Sequence, residues 1–201
     1  MIVKDIKPSE LNFKETMAFD MFKEGKFVFE DFENDSEFFT YYFCFENKDY
    51  DEICKVVMDM NEKDEILNFV THSEKRNIRI KFYLPTLDEA KFIIKYYLEN
   101  GYNLDYSVSK TYLTDNYLWT SSTDEKGKHY AIRTKFITSD FTGRNYFTQY
   151  DLNSSMFFAG GNWYSFDIIK LPFLTEKEKR QFENKFEYRA IIKGKLIAEE
   201  F

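Results

Sequence analysis

Five carboxylates stand within eight residues of the segment 30–37, which reads EDFENDSE. They are Glu30, Asp31, Glu33, Asp35 and Glu37. A surface with this density of negative charge attracts basic partners over long range and repels the phosphates of nucleic acids. Charged residues at a strand edge also prevent pairing with other chains, so a solubilising turn is the plainer alternative. The segment therefore predicts either a docking face for a protein with a basic surface or a protective charged turn.

The acidic residues are concentrated in the first part of the chain. The protein has 28 Lys and Arg against 35 Asp and Glu, a net charge of −7. Residues 1–75 hold 9 basic and 19 acidic side chains, and residues 76–201 hold 19 and 16. This asymmetry favours our first hypothesis, a non-catalytic protein-binding module, such as a phage or mobile-element inhibitor that docks an acidic face on a basic groove. We expect no direct binding of nucleic acid.

A second constellation contains side chains that could hold a small ligand. In the run KHYAIRTKF, His129 and Arg133 would share one face of a strand, while Arg144 and Trp163 occupy neighbouring runs. Arginine grips phosphate oxygens in pairs, tryptophan stacks on rings, and histidine serves as acid or base. Our alternative hypothesis is therefore a small enzyme or ligand-binding domain that acts on a nucleotide or sugar through this cleft. The simpler interpretations are that His129 lies at the surface, that Arg144 belongs to a turn and that Trp163 anchors a hairpin.

Familiar catalytic motifs do not occur in the sequence. It contains no P-loop, no glycine-rich dinucleotide fingerprint and no G-x-S-x-G elbow. Its two histidines and two cysteines lack the spacing of a zinc site. We predict no catalytic residues, no metal site and no cofactor, and we favour a protein that is not an enzyme.

Composition and the missing targeting signals suggest a compartment. The first residues lack a signal-peptide pattern, and no apolar run approaches the roughly 20 residues that span a bilayer. We expect Cys44 and Cys54 to be reduced, and we predict a cytoplasmic protein that does not enter membranes. Lys outnumbers Arg by 22 to 6, a bias associated with phages and low-G+C bacteria. The sequence does not indicate an oligomeric state.

Periodicity in the first half predicts helices mixed with a few strands. A helix should run over 9–24, with Ser9 as its N-cap and Leu11, Met17, Met21 and Phe22 at roughly helical spacing. KFVFEDF and EFFTYYFCF should form a hairpin around ENDS, and NIRIKFYL a half-buried strand. Two further helices should begin at capping boxes, one formed by Asp49 and Glu52 and the other by Thr86 and Glu89.

The second half should be mostly antiparallel sheet. Short β-rich runs are separated by turn signals: YSVSKTYL, YLWTSST, HYAIRTKFI, NYFTQYDL, SMFFAG and WYSFDIIKL. One helix, EKEKRQFENKF, should follow a cap at Thr175, before a final strand or a hairpin that turns at Lys193–Gly194. We predict an α+β fold, in which N-terminal helices with a few strands precede an antiparallel β-meander carrying one C-terminal helix. We favour a single domain over 1–201, with a division into 1–101 and 102–201 as the alternative.

Overall fold

The computed structural model describes most of the chain. The described residues are 1–23, 28–29, 38–41, 49–63, 71–72, 76–100, 116–136, 156–171 and 188–201. Internal contacts divide the chain into two compact units. Unit 1 is Met1–Phe43, Asp49–Leu84 and Ile191–Phe201, and unit 2 is Cys44–Lys48 and Pro85–Ala190. The single domain remains a prediction, and each unit is described by itself.

Helices and strands alternate through the described residues. The helices are α1 (Phe13–Lys23), α2 (Tyr50–Glu62) and α3 (Leu87–Asn100), with a 3-10 turn at Pro8–Glu10. The strands are β1 (Ile2–Ile6), β2 (Val28–Phe29), β3 (Phe38–Tyr41), β4 (Thr71–His72), β5 (Arg76–Tyr83), β6 (Tyr117–Thr123), β7 (His129–Phe136), β8 (Met156–Ala159), β9 (Asn162–Leu171), β10 (Tyr188–Arg189) and β11 (Ile192–Glu200). This content confirms the α+β class.

Unit 1 is built on a sheet whose inner strand is β11, the last described strand. The order is β2-β3-β11-β5-β4, and β1 also pairs with β11. The predicted half-buried strand is confirmed, because Ile78, Ile80 and Phe82 of β5 are buried while Arg79 and Lys81 are exposed. The predicted hairpin is confirmed in its strands, since β2 and β3 pair antiparallel, and its turn lies outside the described residues.

The first helix begins later than the sequence predicts. The side chains of Asn12 and Glu15 exchange hydrogen bonds with each other's backbone N–H groups, at 3.0 and 2.8 Å, and α1 begins at Phe13. The prediction of Ser9 as the N-cap is therefore wrong: Ser9 lies in the preceding 3-10 turn. An amide at the cap with a glutamate three residues later satisfies the same free N–H groups as the familiar capping box.

The two predicted capping boxes are confirmed. Asp49 and Glu52 exchange bonds of 2.8 and 2.9 Å before α2. Thr86 and Glu89 exchange bonds of 2.8 and 3.3 Å at the start of α3. At the other end of α2, the Asn61 amide donates to the carbonyl of Phe82 and accepts from its N–H group. That pair of bonds satisfies the backbone N–H and carbonyl groups of Phe82.

Unit 2 is a five-stranded sheet with one described helix. The order is β10-β6-β7-β9-β8, and all neighbours are antiparallel except β10 and β6. α3 packs on the face that carries Phe157 and Phe166, because Lys95 Nζ lies 5.2 and 5.8 Å from their ring centroids. Four of the predicted strands are confirmed, but they do not follow the order of a simple meander, because β7 pairs with β9 and not with β8. The runs YSVSKTYL and NYFTQYDL and the helix EKEKRQFENKF lie outside the described residues.

For residues 192–200, the predicted final strand is confirmed and the alternative of a hairpin is wrong. Lys193–Gly194 is not a turn, because β11 continues through it, with Gly194 opposite Phe39 on one side and Phe82 on the other. A glycine in a strand fits where neighbouring strands approach closely. β1 was not predicted, and it pairs with β11 from Ile2↔Glu200 to Ile6↔Leu196. The last described element is therefore a strand.

Candidate functional site

The acidic segment connects two paired strands of unit 1. Glu30, Asp31, Glu33, Asp35 and Glu37 themselves lie outside the described residues. The strands on either side of them are described, and Val28 pairs with Tyr41 and Phe29 with Thr40. β2 stands at one end of the strand order, so the segment joins an end strand to its neighbour. A docking face at this place remains a prediction.

The outer side of α2 is acidic. Asp51, Glu52, Asp59 and Glu62 are exposed together with one basic residue, Lys55, whereas Ile53 and Met60 on the opposite side are buried. Met58 lies among the acidic residues with 59% of its surface exposed. The helix is amphipathic, as its sequence predicts, and its polar side presents four carboxylates with a large apolar side chain between them.

An apolar stripe lies on the surface of α1. Phe13, Met17 and Met21 are 78%, 50% and 71% exposed, and their spacing of four residues places them along one side of the helix. The periodicity of the sequence misleads here, because Phe19 and Glu15 occupy the buried side instead. We call Phe13, Met17 and Met21 the α1 stripe. Exposed side chains of this size gain free energy when a partner covers them.

The three described residues of the alternative site lie on one sheet face of unit 2, but they are spread along it. His129 pairs with Leu171, and Arg133 with Asp167, so both side chains share a face as predicted. Trp163 lies on the same face of β9, eight positions from Leu171, which is roughly 26 Å at the rise of a strand. No small ligand contacts both His129 and Trp163 across that distance. Arg144 lies outside the described residues.

Arg133 belongs to a cluster of aromatic and polar side chains. Its guanidinium lies 5.9 Å from the ring centroid of Tyr117, and the Tyr117 hydroxyl donates to Asp167 Oδ2 at 2.6 Å. Tyr188 stacks on Tyr117 and Trp119 at 5.9 and 5.5 Å between ring centroids. Burial, reinforced by the bond to Asp167, raises the pKa of Tyr117, so this phenol remains protonated and acts as a donor. The cluster ties β6, β7, β9 and β10 together.

Trp163 has a separate environment on β9. It is 43% exposed and forms an edge-to-face pair with Phe158 at 5.4 Å, while Phe158 is 57% exposed. The sequence interpretation of Trp163 as a hairpin anchor or a stacking residue stays open. Among the described residues, no group of three or more His, Cys, Asp or Glu side chains is arranged to hold a metal ion. Cys54 is a free thiol, and Cys44 lies outside the described residues.

Comparisons with known proteins give no family for this chain. It matches no protein-family model, no curated protein and no solved structure. In the part of the chain that the structure describes, no helix is long and apolar enough to cross a membrane.

Proposed function

We propose that the protein is a non-catalytic binding module whose acidic N-terminal part docks on a basic, partly apolar surface of another protein. The observation that supports it best is the exposure of the α1 stripe in the same unit as the acidic outer side of α2. The acidic segment 30–37 adds five carboxylates between β2 and β3. An inhibitor that is encoded by a phage or mobile element and acts in the cytoplasm would suit this surface and the lysine-rich composition.

Apolar contacts supply the larger part of the expected affinity. Fully burying a Phe or Met side chain stabilises by about 1.5–3 kcal/mol, so covering the α1 stripe contributes several kcal/mol before the cost of association. Methionine is flexible and polarizable, and it suits surfaces that accept an apolar helix. The stripe offers three such positions at the spacing by which helices contact each other.

Charge then determines which apolar partner is accepted. The carboxylates of α2 and of segment 30–37 attract Lys and Arg and repel acidic chains, and this attraction weakens as salt screens it. The partner that fits is a basic amphipathic helix, with apolar residues on one side and Lys or Arg on the other.

A pair of model peptides tests the proposal. We would titrate the full chain with a fluorescent helical peptide built from Lys and Leu, and with a peptide of the same pattern in which Glu replaces Lys. We expect saturable binding of the Lys peptide alone, weakening by about tenfold or more between roughly 0.05 and 0.5 M salt. Equal binding of both peptides, or binding of neither, would refute the proposal.

Two sets of substitutions locate the surface. Charge reversal of Glu30, Asp31, Glu33 and Asp35 to Lys, and separately Met17→Gln with Met21→Gln, should each weaken peptide binding by about tenfold while the protein stays folded. The matched control is Asp88→Lys in unit 2, an exposed carboxylate on α3. If the control weakens binding as much as the test variants, the contact is not made by unit 1.

A further inference from the structure

The turn between β6 and β7 is held in one shape by a carboxylate. Asp124 Oδ1 accepts hydrogen bonds from the N–H groups of Lys126 and Lys128, at 2.9 and 3.0 Å. The Asp124 N–H donates to the carbonyl of Lys128 at 2.9 Å, and Gly127 takes the positive φ of 75° that the turn requires. These backbone bonds, led by that from Lys128, hold the pKa of Asp124 below its usual range. These hydrogen bonds therefore fix the backbone of the turn that carries Lys126 and Lys128.

A third lysine reaches the same place from β9. Lys170 lies opposite Tyr130 in the register, and its Nζ lies 5.4 Å from the centroid of that ring and 3.5 Å from Asp124 Oδ2. Both carboxylate oxygens of Asp124 thus contact groups of the protein, one in the turn between β6 and β7 and the other in β9. Asp124 holds the site together and is not the counter-ion of the other two lysines.

Lys128 is unusual for a lysine in a turn. It is 9% exposed, and among the residues that the structure describes no carboxylate lies within ion-pair distance of its ammonium group. Lysine is rarely buried to this degree unless it is paired. Lys126 is exposed and likewise has no carboxylate partner in the described part of the chain. Two ammonium groups therefore have their charge available to a ligand, with Glu125 as the remaining acidic neighbour.

These residues surround a cavity. Its volume is about 460 Å³, and Thr123, Lys126, Lys128, Tyr130 and Lys170 line it together with the acidic pair Asp124 and Glu125. Cavities that bind small molecules measure about 300–1,000 Å³, so a metabolite-sized group fits. The lining offers ammonium donors, the Thr123 hydroxyl and one aromatic ring. Those groups suit a compact anion whose organic part lies against an apolar surface.

We propose that the cavity formed by Lys126, Lys128 and Lys170 binds the phosphate group of a small phosphorylated molecule. The ammonium groups of Lys126 and Lys128 contact the phosphate oxygens, Lys170 adds positive charge beside them, and the ring of Tyr130 contacts the organic part. This site lies in unit 2 and makes no use of the protein-docking surface of unit 1, so either proposal can fail without the other. It also makes no use of the residues His129, Arg133 or Trp163.

Titration followed by NMR tests the site directly. The full chain would be titrated with inorganic phosphate, glucose 6-phosphate and glucose, while the amide signals of 123–130 and Lys170 are followed. We expect saturable shifts with the two phosphates at a dissociation constant of about 1 mM or tighter, and none with glucose. Tighter binding of glucose 6-phosphate identifies a phosphate ester as the ligand, and equal binding identifies the free anion. No saturable shift with either phosphate would overturn the proposal.

Substitutions test whether phosphate binding requires the lysines of this cavity or only the charge of any lysine on the surface. Lys128→Met keeps the volume of the side chain and should weaken phosphate binding by about tenfold or more, whereas Lys128→Arg should retain binding. Lys170→Met, on a half-exposed side chain, gives an independent test if Lys128→Met does not fold. Lys55→Met on α2 is the matched control. Unchanged binding in both cavity variants, or equal loss in the control, would overturn the proposal.

Discussion

A buried ion pair fixes α1 to the sheet of unit 1. Glu15 is 1% exposed, its Oε2 lies 2.6 Å from Arg76 Nη2, and Arg76 also donates to the carbonyl of Glu10 at 2.9 Å. Burial alone would raise the pKa of Glu15. The hydrogen bonds from Arg76 and Asn12, with the charge of Arg76, outweigh burial and lower it. The pair thus secures both the helix and the turn before it.

Removing the charge of Glu15 should destabilise unit 1. We expect Glu15→Gln to lower the free energy of unfolding at neutral pH by about 2 kcal/mol, because hydrogen bonds to charged groups contribute about 1.5–3 kcal/mol. Urea unfolding measures this change. Asp5→Asn, which removes the exposed partner of Lys195, should stay within about 1 kcal/mol. Equal losses in the two variants would show that burial of the pair is unimportant.

The same pair predicts how stability changes with pH. Because the pKa of Glu15 is lower in the folded state, its contribution is fully present above its unfolded pKa, near 4.5. The contribution is lost as the pH falls through the folded pKa. The difference in unfolding free energy between the natural protein and Glu15→Gln should therefore shrink below about pH 4. A constant difference down to pH 2 would contradict this assignment.

At the scale of elements, local chemistry could be predicted from the sequence and long-range pairing could not. The capping boxes at Asp49 and Thr86 depend on residues three apart in the sequence. The alternation of buried and exposed residues in β5 arises because one face of that strand is buried. Both features can therefore be predicted from the sequence. The central place of β11 depends on strands more than 100 residues away, so Gly194 resembled a turn. The cavity of Lys128 likewise requires the register that brings Lys170 to Tyr130.

The turn between β8 and β9 contains two adjacent glycines, and the structure predicts different losses of stability when each is substituted. Gly160 and Gly161 have φ values of 55° and 81° between the paired residues Ala159 and Asn162, as in a two-residue hairpin turn. A Cβ at position 160 would also overlap the carbonyl oxygen of Leu98 on α3, whereas one at 161 meets no atom within 4 Å.

Alanine at the two positions should therefore differ in effect. We expect Gly161→Ala to cost about 1–2 kcal/mol of unfolding free energy from backbone strain alone. Gly160→Ala should cost more than about 3 kcal/mol, because the clash with α3 adds to that strain. Urea unfolding of the two variants side by side makes the comparison. Equal costs would mean that α3 does not pack closely on this turn.

At the scale of the whole molecule, unit 1 is assembled from distant parts of the chain. β1 begins at residue 2 and pairs with β11, which ends at residue 200, and β11 also pairs with β3 and β5. Ile192, Leu196 and Ala198 of β11 are buried. Contacts of such long sequence separation form slowly, because a large loop must close first. Unit 1 therefore cannot form its sheet before β11 at residues 192–200 is available, while every described strand of unit 2 lies within 117–189.

Removal of residues 191–201 should have different effects on hydrogen exchange in the two units. Without β11, the sheet of unit 1 loses its inner strand, so the amides of β5 should exchange rapidly. The amides of β7 pair with β6 and β9 inside unit 2 and should remain protected. Removal of Phe201 alone, a residue 74% exposed, should leave both strands protected. Slow exchange in β5 of the longer deletion would show that another segment replaces β11, and loss of protection in β7 would show that unit 2 needs unit 1 in order to fold.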